Sequence, residues 1–152
     1  MRITKVKKVE GRLVNILQGF AQASDTWADF VGSGGVEHVV EVYRKLIESG
    51  DGVELIAEDD DGNIMGAIAG IKAPDMHSGI MQAIETFWFV HPAYRKSGVG
   101  VALLEAFEAW AKEEGCKRVG MTYLVDSHPE SLRKLYEYKG YKLVEQHFMK
   151  RL

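Results

Sequence analysis

The chain has one cysteine, Cys116, in 152 residues. No internal disulfide can form, and a reducing cytoplasm is the expected compartment. No apolar run approaches the roughly 20 residues that span a bilayer, so no membrane partner is expected. The basic first eight residues have no apolar centre of the kind a secretory leader needs. A basic excess is missing too: 19 Lys and Arg stand against 22 Asp and Glu, a net charge of −3, which argues against a nucleic-acid partner. The five histidines have no ligand spacing, so no metal site is expected. No repeat and no low-complexity linker divides the sequence. What is left is a single domain over residues 1–152, and 46% hydrophobic with 27% charged residues allow it an ordinary core.

Periodicity gives the elements. Residues 3–8 alternate and read as a strand. Leu13, Ile16, Leu17 and Phe20 recur at helical spacing, as do Val36, Val39, Val40, Tyr43 and Ile47. Between them residues 27–35 read as an aromatic, then glycine-rich, loop. Residues 53–58 and 64–71 form two strands joined by a turn at Asp59-Asp60-Asp61-Gly62-Asn63. Residues 80–90 are a long strand, apolar on both faces, as suits a place near a sheet centre. Leu103, Leu104, Phe107, Trp110 and Ala111 stripe the next helix, which Gly115 ends. A strand at 119–125, a helix at 131–139 and a last strand at 141–150 complete the order β-α-α-β-β-β-α-β-α-β. The fold class is α/β in the mixed α+β sense, a central mixed sheet with helices on both faces.

The most informative stretch is Val90-His91-Pro92-Ala93-Tyr94-Arg95-Lys96-Ser97-Gly98-Val99-Gly100. A strand runs into it and a helix starts from it. Backbone N–H groups at a helix start lack intrahelical partners, and the helix dipole favours negative charge there. Gly98 and Gly100 remove side chains that would keep a pyrophosphate from those amides, while Arg95 and Lys96 add positive charge. Other phosphate motifs fail: no Gly-Lys-[Ser/Thr] follows, and no third glycine completes a dinucleotide fingerprint. The Asp59–Asn63 turn misses calcium-loop spacing, and the glycines at 32–35 fall one short of a nucleophile elbow.

Residues 90–115 resemble the acetyl-CoA-binding motif of the GNAT-type N-acetyltransferases, a Val-x-Pro strand end followed by [Arg/Gln]-x-x-Gly-x-[Gly/Ala] opening a long helix. Leu135-Tyr136-Glu137-Tyr138-Lys139-Gly140-Tyr141 resembles that family's Leu-Tyr-x-x-x-Gly-Phe segment. The element order matches over nearly the whole chain. The resemblance implies a GNAT-like fold with a mostly antiparallel sheet of about six strands. It also implies an acetyl-CoA co-substrate. The amides of Arg95, Lys96, Ser97, Gly98, Val99, Gly100 and Val101 would hold the pyrophosphate. The backbone of Trp88, Phe89 and Val90 would pair with the pantetheine arm, and Tyr136 would sit near the sulfur. Where that family often has Asn and Ala, this chain has Pro129 and Leu132; Ser127 and Ser131 are the nearby hydroxyls. Many members have two strands after Gly140 and one is expected here, so the substrate side of the cleft would be open or completed by a second subunit in a homodimer.

The expected activity is N-acetyl transfer from acetyl-CoA to a primary amine, on a small molecule or a peptide, by direct attack in a ternary complex. An amine with a pKa near 10 must lose a proton first, the oxyanion needs a donor, and the leaving thiolate needs a proton or stabilisation. Tyr136 is the candidate acid. Glu85 is the candidate base, since a carboxylate in so apolar a strand is unusual unless paired or functional. Regular alternation puts Glu85 and Val90 on opposite faces, so this role needs a bulge in the strand. His91 is the alternative base; Asp126, His128 and a base-free mechanism follow. Trp27 and Phe30 are candidate walls for the acceptor, with Met76-His77-Ser78 a second rim. Cys116 reads as a structural thiol. A non-catalytic acyl-CoA-binding module on the same scaffold, and an assembly protein with a vestigial pocket, are the rival readings.

Overall fold

The computed structural model describes residues 1–8, 11–31, 35–150 and 152. Five strands form one mixed sheet in the order β1-β2-β3-β4-β5: β1 Arg2–Lys5, β2 Gly52–Glu58, β3 Ile64–Pro74, β4 Met81–Val90 and β5 Arg118–Gly120. The first four pair antiparallel and β4 pairs β5 parallel. Helices α1 Gly11–Ala23, α2 Asp25–Val31 and α3 Gly35–Ser49 precede β2; α4 Val99–Glu113 and α5 Pro129–Tyr138 follow β4 and β5. Among the described residues no helix is long and apolar enough to cross a membrane.

The sheet separates two apolar cores. On one face Ile16, Leu17, Phe20, Trp27 and Tyr43 of the first three helices pack on Ile56, Ala67, Ala69, Phe87 and Phe89. On the other, Leu103, Phe107, Trp110 and Ala111 of α4 pack on Val53, Leu55, Ile68 and Ala83. Strand β3 carries small residues on either side of Ile68, Gly66-Ala67 and Ala69-Gly70, so helices come close on both sides. A Cβ at Gly70 would stand 2.5 Å from the Phe107 ring.

Three expectations are corrected. The aromatic segment expected as loop is helical from Asp25 to Val31. Ser24 starts it, its Oγ accepting the Trp27 N–H at 3.1 Å, the usual work of an N-cap serine. The strand expected at 119–125 is only Arg118–Gly120. Residues 141–150 form no strand, so the sheet has five strands rather than about six. Leu143, Val144, Phe148 and Met149 are exposed there, and no sheet partner is present among the described residues to order them. The glycines at 32–34 and the side chains of Leu13 and Phe30 lie outside the described residues.

Glu54 on β2 is 1% exposed, and neither carboxylate oxygen has a hydrogen-bond partner among the described residues. Burial pushes its carboxyl up from 4.5 to about 7. A raised carboxyl pKa stabilises the fold fully below the unfolded value and loses that contribution as pH rises through the folded value. Stability should therefore fall between pH 5 and pH 8, by on the order of 3 kcal/mol at most from this residue. Glu54→Gln cannot ionise, and its melting temperature should fall less over that range than the wild type's; parallel curves in a pH series of thermal melts would show that Glu54 contributes nothing to the slope.

Candidate active site

The β4–β5 ladder stops early. Its pairs are Gln82↔Arg118, Ala83↔Val119 and Ile84↔Gly120, and beyond them the two strands are no longer paired. The other edge of β4 stays paired with β3 up to Gly66↔Val90. Trp88, Phe89 and Val90 thus have one edge in the sheet and one facing an opening, where an extended chain can add as a strand does.

Glu85 is the first residue past the last pair. Its Oε2 accepts the Thr122 amide at 3.1 Å and the Thr122 hydroxyl at 2.8 Å. Tyr136 of α5 donates its hydroxyl to the Thr122 carbonyl at 2.6 Å. One residue of the segment after β5 therefore holds both candidate catalytic groups. The parity problem is removed by a bulge: Ala69 pairs with Phe87 but Gly70 with Glu85, leaving Thr86 as an extra residue. Thr86 faces α3, where its Oγ1 accepts the Tyr43 hydroxyl. Phe87 and Phe89 join the same core. By that register Glu85 shares its parity with Trp88 and Val90, which pack toward α4, and at the gap between β4 and β5 it also lines a cavity with Trp27 and Tyr43.

Electrostatics fit a proton acceptor near neutrality. Burial pushes the Glu85 carboxyl up from 4.5 to about 7, against the lowering pull of the Thr122 hydroxyl and amide. Burial also raises the Tyr136 phenol well above its ordinary value, and the charges of Glu85, Tyr141 and Tyr123 add to it. Tyr136 is 7% exposed, with its ring 6.2 Å from that of Trp88 and 6.5 Å from that of Tyr123.

The glycine loop lies beyond Val90. His91 accepts the Ala93 N–H on Nδ1 at 3.3 Å and starts a 3-10 turn, Pro92–Tyr94. Tyr94 pins that turn to the β2–β3 hairpin, donating its hydroxyl to Asp59 at 2.9 Å. Lys96 and Gly98 have φ of 67° and 88°, a left-handed region that glycine enters without strain. Among the described residues no side chain caps α4, so its first amides can receive a ligand. The two glycines differ. A Cβ at Gly98 would meet nothing within 4 Å, whereas one at Gly100 would stand 3.3 Å from the Trp88 ring and 3.4 Å from Val90. Gly98 serves the loop's backbone, and Gly100 lets Trp88 lie against the helix. Val99, expected in the pyrophosphate contact, has its side chain in the core at 1% exposure; only its amide is available.

These residues fit an acyl-CoA. The Trp88 Nε1 is buried with no acceptor among the described residues, an open donor beside the gap. Arg95 Nη1 lies 3.3 Å from His128 Nε2, and both line a cleft with His91, Gln22 and Ser127. Amides of residues 96–101 and Arg95 would hold phosphates, and the free edge of residues 88–90 the amide-bearing arm.

The structure brings Glu85, Trp88 and Tyr136 together and leaves other candidates apart. His91 is exposed and occupied by its own turn. Asp126 is committed to the fold, accepting Ser24 Oγ and the Thr26 amide, both at 2.9 Å. Met76-His77-Ser78 lies in the turn between Pro74 and Met81, which pair at the end of β4 opposite Val90, and so forms no rim. Pro129 opens α5 as its first residue, where its missing N–H costs nothing. Leu132 and Ser127 line a cavity with Trp27, Tyr43 and Glu85. Thr122, Tyr94 and Asp126 are the residues that sequence reasoning missed in these supporting roles. None carries a local signal, because each acts on a partner at least 35 residues away.

A parting pair of parallel strands beside a glycine-opened helix marks this α+β fold. The sequence pattern of the Acetyltransferase (GNAT) family matches residues 21–141, and the chain belongs to that family. An aminoglycoside N(6')-acetyltransferase type 1 from Klebsiella aerogenes is 43% identical over 65 residues, which is 41% of this chain and 42% of that relative. The match thus spans less than half the relative's length. Among solved structures, an aminoglycoside acetyltransferase from an uncultured soil metagenomic sample superposes with a TM-score of 0.75 at 20% identity, covering 99% of this chain and 97% of its own. A transcriptional regulator from Bacillus halodurans C-125 superposes at 0.78, also at 20% identity, over 99% of this chain and 100% of its own. At that identity the likeness is one of fold.

Removing the Thr122 hydroxyl should cost most when Glu85 is ionised, since hydrogen bonds to charged groups contribute about 1.5–3 kcal/mol. Thr122→Val should therefore lose more stability at pH 8.5 than at pH 5 in thermal melts, and Thr122→Ser should recover it. An equal loss at both pH values would separate Thr122 from the Glu85 charge.

Proposed function

We propose that this chain transfers an acetyl group from acetyl-CoA to a primary amine by direct attack in a ternary complex. The observation that carries the reading is the meeting of Glu85 and Tyr136 on Thr122, at the point where β4 and β5 part. Acetyl-CoA supplies the activated thioester. Glu85 takes a proton from the incoming ammonium, directly or through water, and burial places its carboxyl near neutrality for that task. The amine nitrogen bonds to the acetyl carbon as the carbon–sulfur bond breaks; the nitrogen then sheds its surplus proton and the departing thiolate takes one up, giving an amide and a free thiol. Tyr136 offers its hydroxyl to the departing sulfur after leaving the Thr122 carbonyl. With its pKa so raised, it stabilises a thiolate of ordinary pKa near 8.5 as a hydrogen-bond donor rather than by full ionisation.

The relatives' names place aminoglycosides among the acceptors to test. The rival, a non-catalytic acyl-CoA-binding module, is motivated by Pro129 and Leu132, which replace the Asn and Ala often found in the family.

The test is thiol release from acetyl-CoA over a panel of amines. Turnover should fall on the acid side with a midpoint near 7, as Glu85 protonates. Glu85→Gln should lower kcat roughly a hundredfold and abolish that limb; Tyr136→Phe should lower kcat roughly ten- to a hundredfold with CoA affinity unchanged. Thermal stabilisation by CoA without thiol release from any amine would establish the binding module instead.

A further inference from the structure

The cavity beside Glu85 has a volume of about 320 Å³, at the small end of ligand pockets. Its walls are apolar and aromatic: Phe20, Trp27, Val39, Tyr43, Leu124 and Leu132 all line it. Phe20 and Trp27 stand with ring centroids 5.1 Å apart, and Tyr43 meets Phe87 edge-on at 5.5 Å. Among the described residues that line it, Glu85 is the one carboxylate. Asp126, beside Ser127 of the lining, lines the neighbouring cleft instead and is held by Ser24 and Thr26.

This lining discriminates by charge count. Each ammonium brought out of water needs a carboxylate or a retained water shell. Glu85 can compensate one. Aromatic faces attract a single cation and gain from burying an apolar body, at about 25 cal/mol per Å²; they offer nothing to a second or third ammonium on a polyhydroxylated frame.

Resting on the acetyltransferase reading, we infer that the acceptor is a primary monoamine with an apolar or aromatic body, selected by the Phe20–Trp27–Tyr43 wall, and not a polyamine or an aminoglycoside. The amine approaches Glu85, and its body fills the space between α1, α2 and α3.

The experiment compares kcat/KM in the thiol-release assay for 2-phenylethylamine, hexylamine, spermidine and kanamycin at fixed acetyl-CoA. The two monoamines should exceed spermidine and kanamycin by about tenfold or more, a difference of about 1.4 kcal/mol. Spermidine or kanamycin at or above the monoamines would overturn the inference while leaving acetyl transfer standing. No release from any of the four, with CoA still raising the melting temperature, would overturn the acetyltransferase reading and this inference with it. Leu132→Asp places a second carboxylate on the lining, and thermal melts check that it folds. Its spermidine to hexylamine ratio should rise about tenfold over the wild type; an unmoved ratio would contradict selection by this wall.

Discussion

The interaction on which the site depends is the pair of hydrogen bonds from Thr122 to the Glu85 carboxylate. A parallel ladder would continue with the Thr122 amide bonded to a backbone carbonyl of β4. Here a side chain takes that amide, and the backbone bonds between β4 and β5 end. The substitution does three things at once. It holds the strands apart, leaving a polar edge on Trp88–Val90. It fixes a carboxylate in a buried place that raises its pKa. It also orients the Thr122 carbonyl to receive Tyr136. The bulge at Thr86 is the precondition, because without it Glu85 would face the opposite side of the sheet.

Around that point the supports divide into local and distant ones. Gly98 answers a backbone need, a left-handed residue before an uncapped helix, and Gly100 a packing need, room for Trp88. Tyr94 ties the loop to Asp59, whose carboxyl is lowered to about 2 chiefly by hydrogen bonds from Asn63. Asp126 ties the segment after β5 to the start of α2. The glycine loop is thereby anchored to the β2–β3 turn and the segment after β5 to the helices on the other face.

Much of this was legible in the sequence because it repeats locally. The short apolar runs of β2 and β3, the turn between them, the aromatic run of β4 and the 3.6-residue stripe of α4 all have short-range signatures. The glycine loop was legible because strand, basic loop and helix follow in order. Glu85 stood out as a charge in an apolar strand, yet its face was not readable, since a bulge is decided by pairing with β3 rather than by the strand's own residues. Helix α2 was missed although Ser24 is a good cap. Glycines nearby outweighed it, and the other half of the cap, Asp126, is 102 residues from Ser24. The tail at 141–150 carries strand-forming residues such as Tyr141, Val144 and Phe148, but composition is not enough; a strand also needs a neighbour to receive its hydrogen bonds.

The chemistry proposed for this site needs the carboxylate between β4 and β5 to change charge near neutral pH. The direct measurement is a carbon NMR titration of the protein carrying 13C-carboxyl glutamate, with the Glu85 signal assigned by its loss in Glu85→Gln. A midpoint near 7 is the predicted result. A Glu85 signal that titrates near the ordinary 4.5 would contradict it, because the group would then be an ordinary ion pinning Thr122 rather than a base set for an amine.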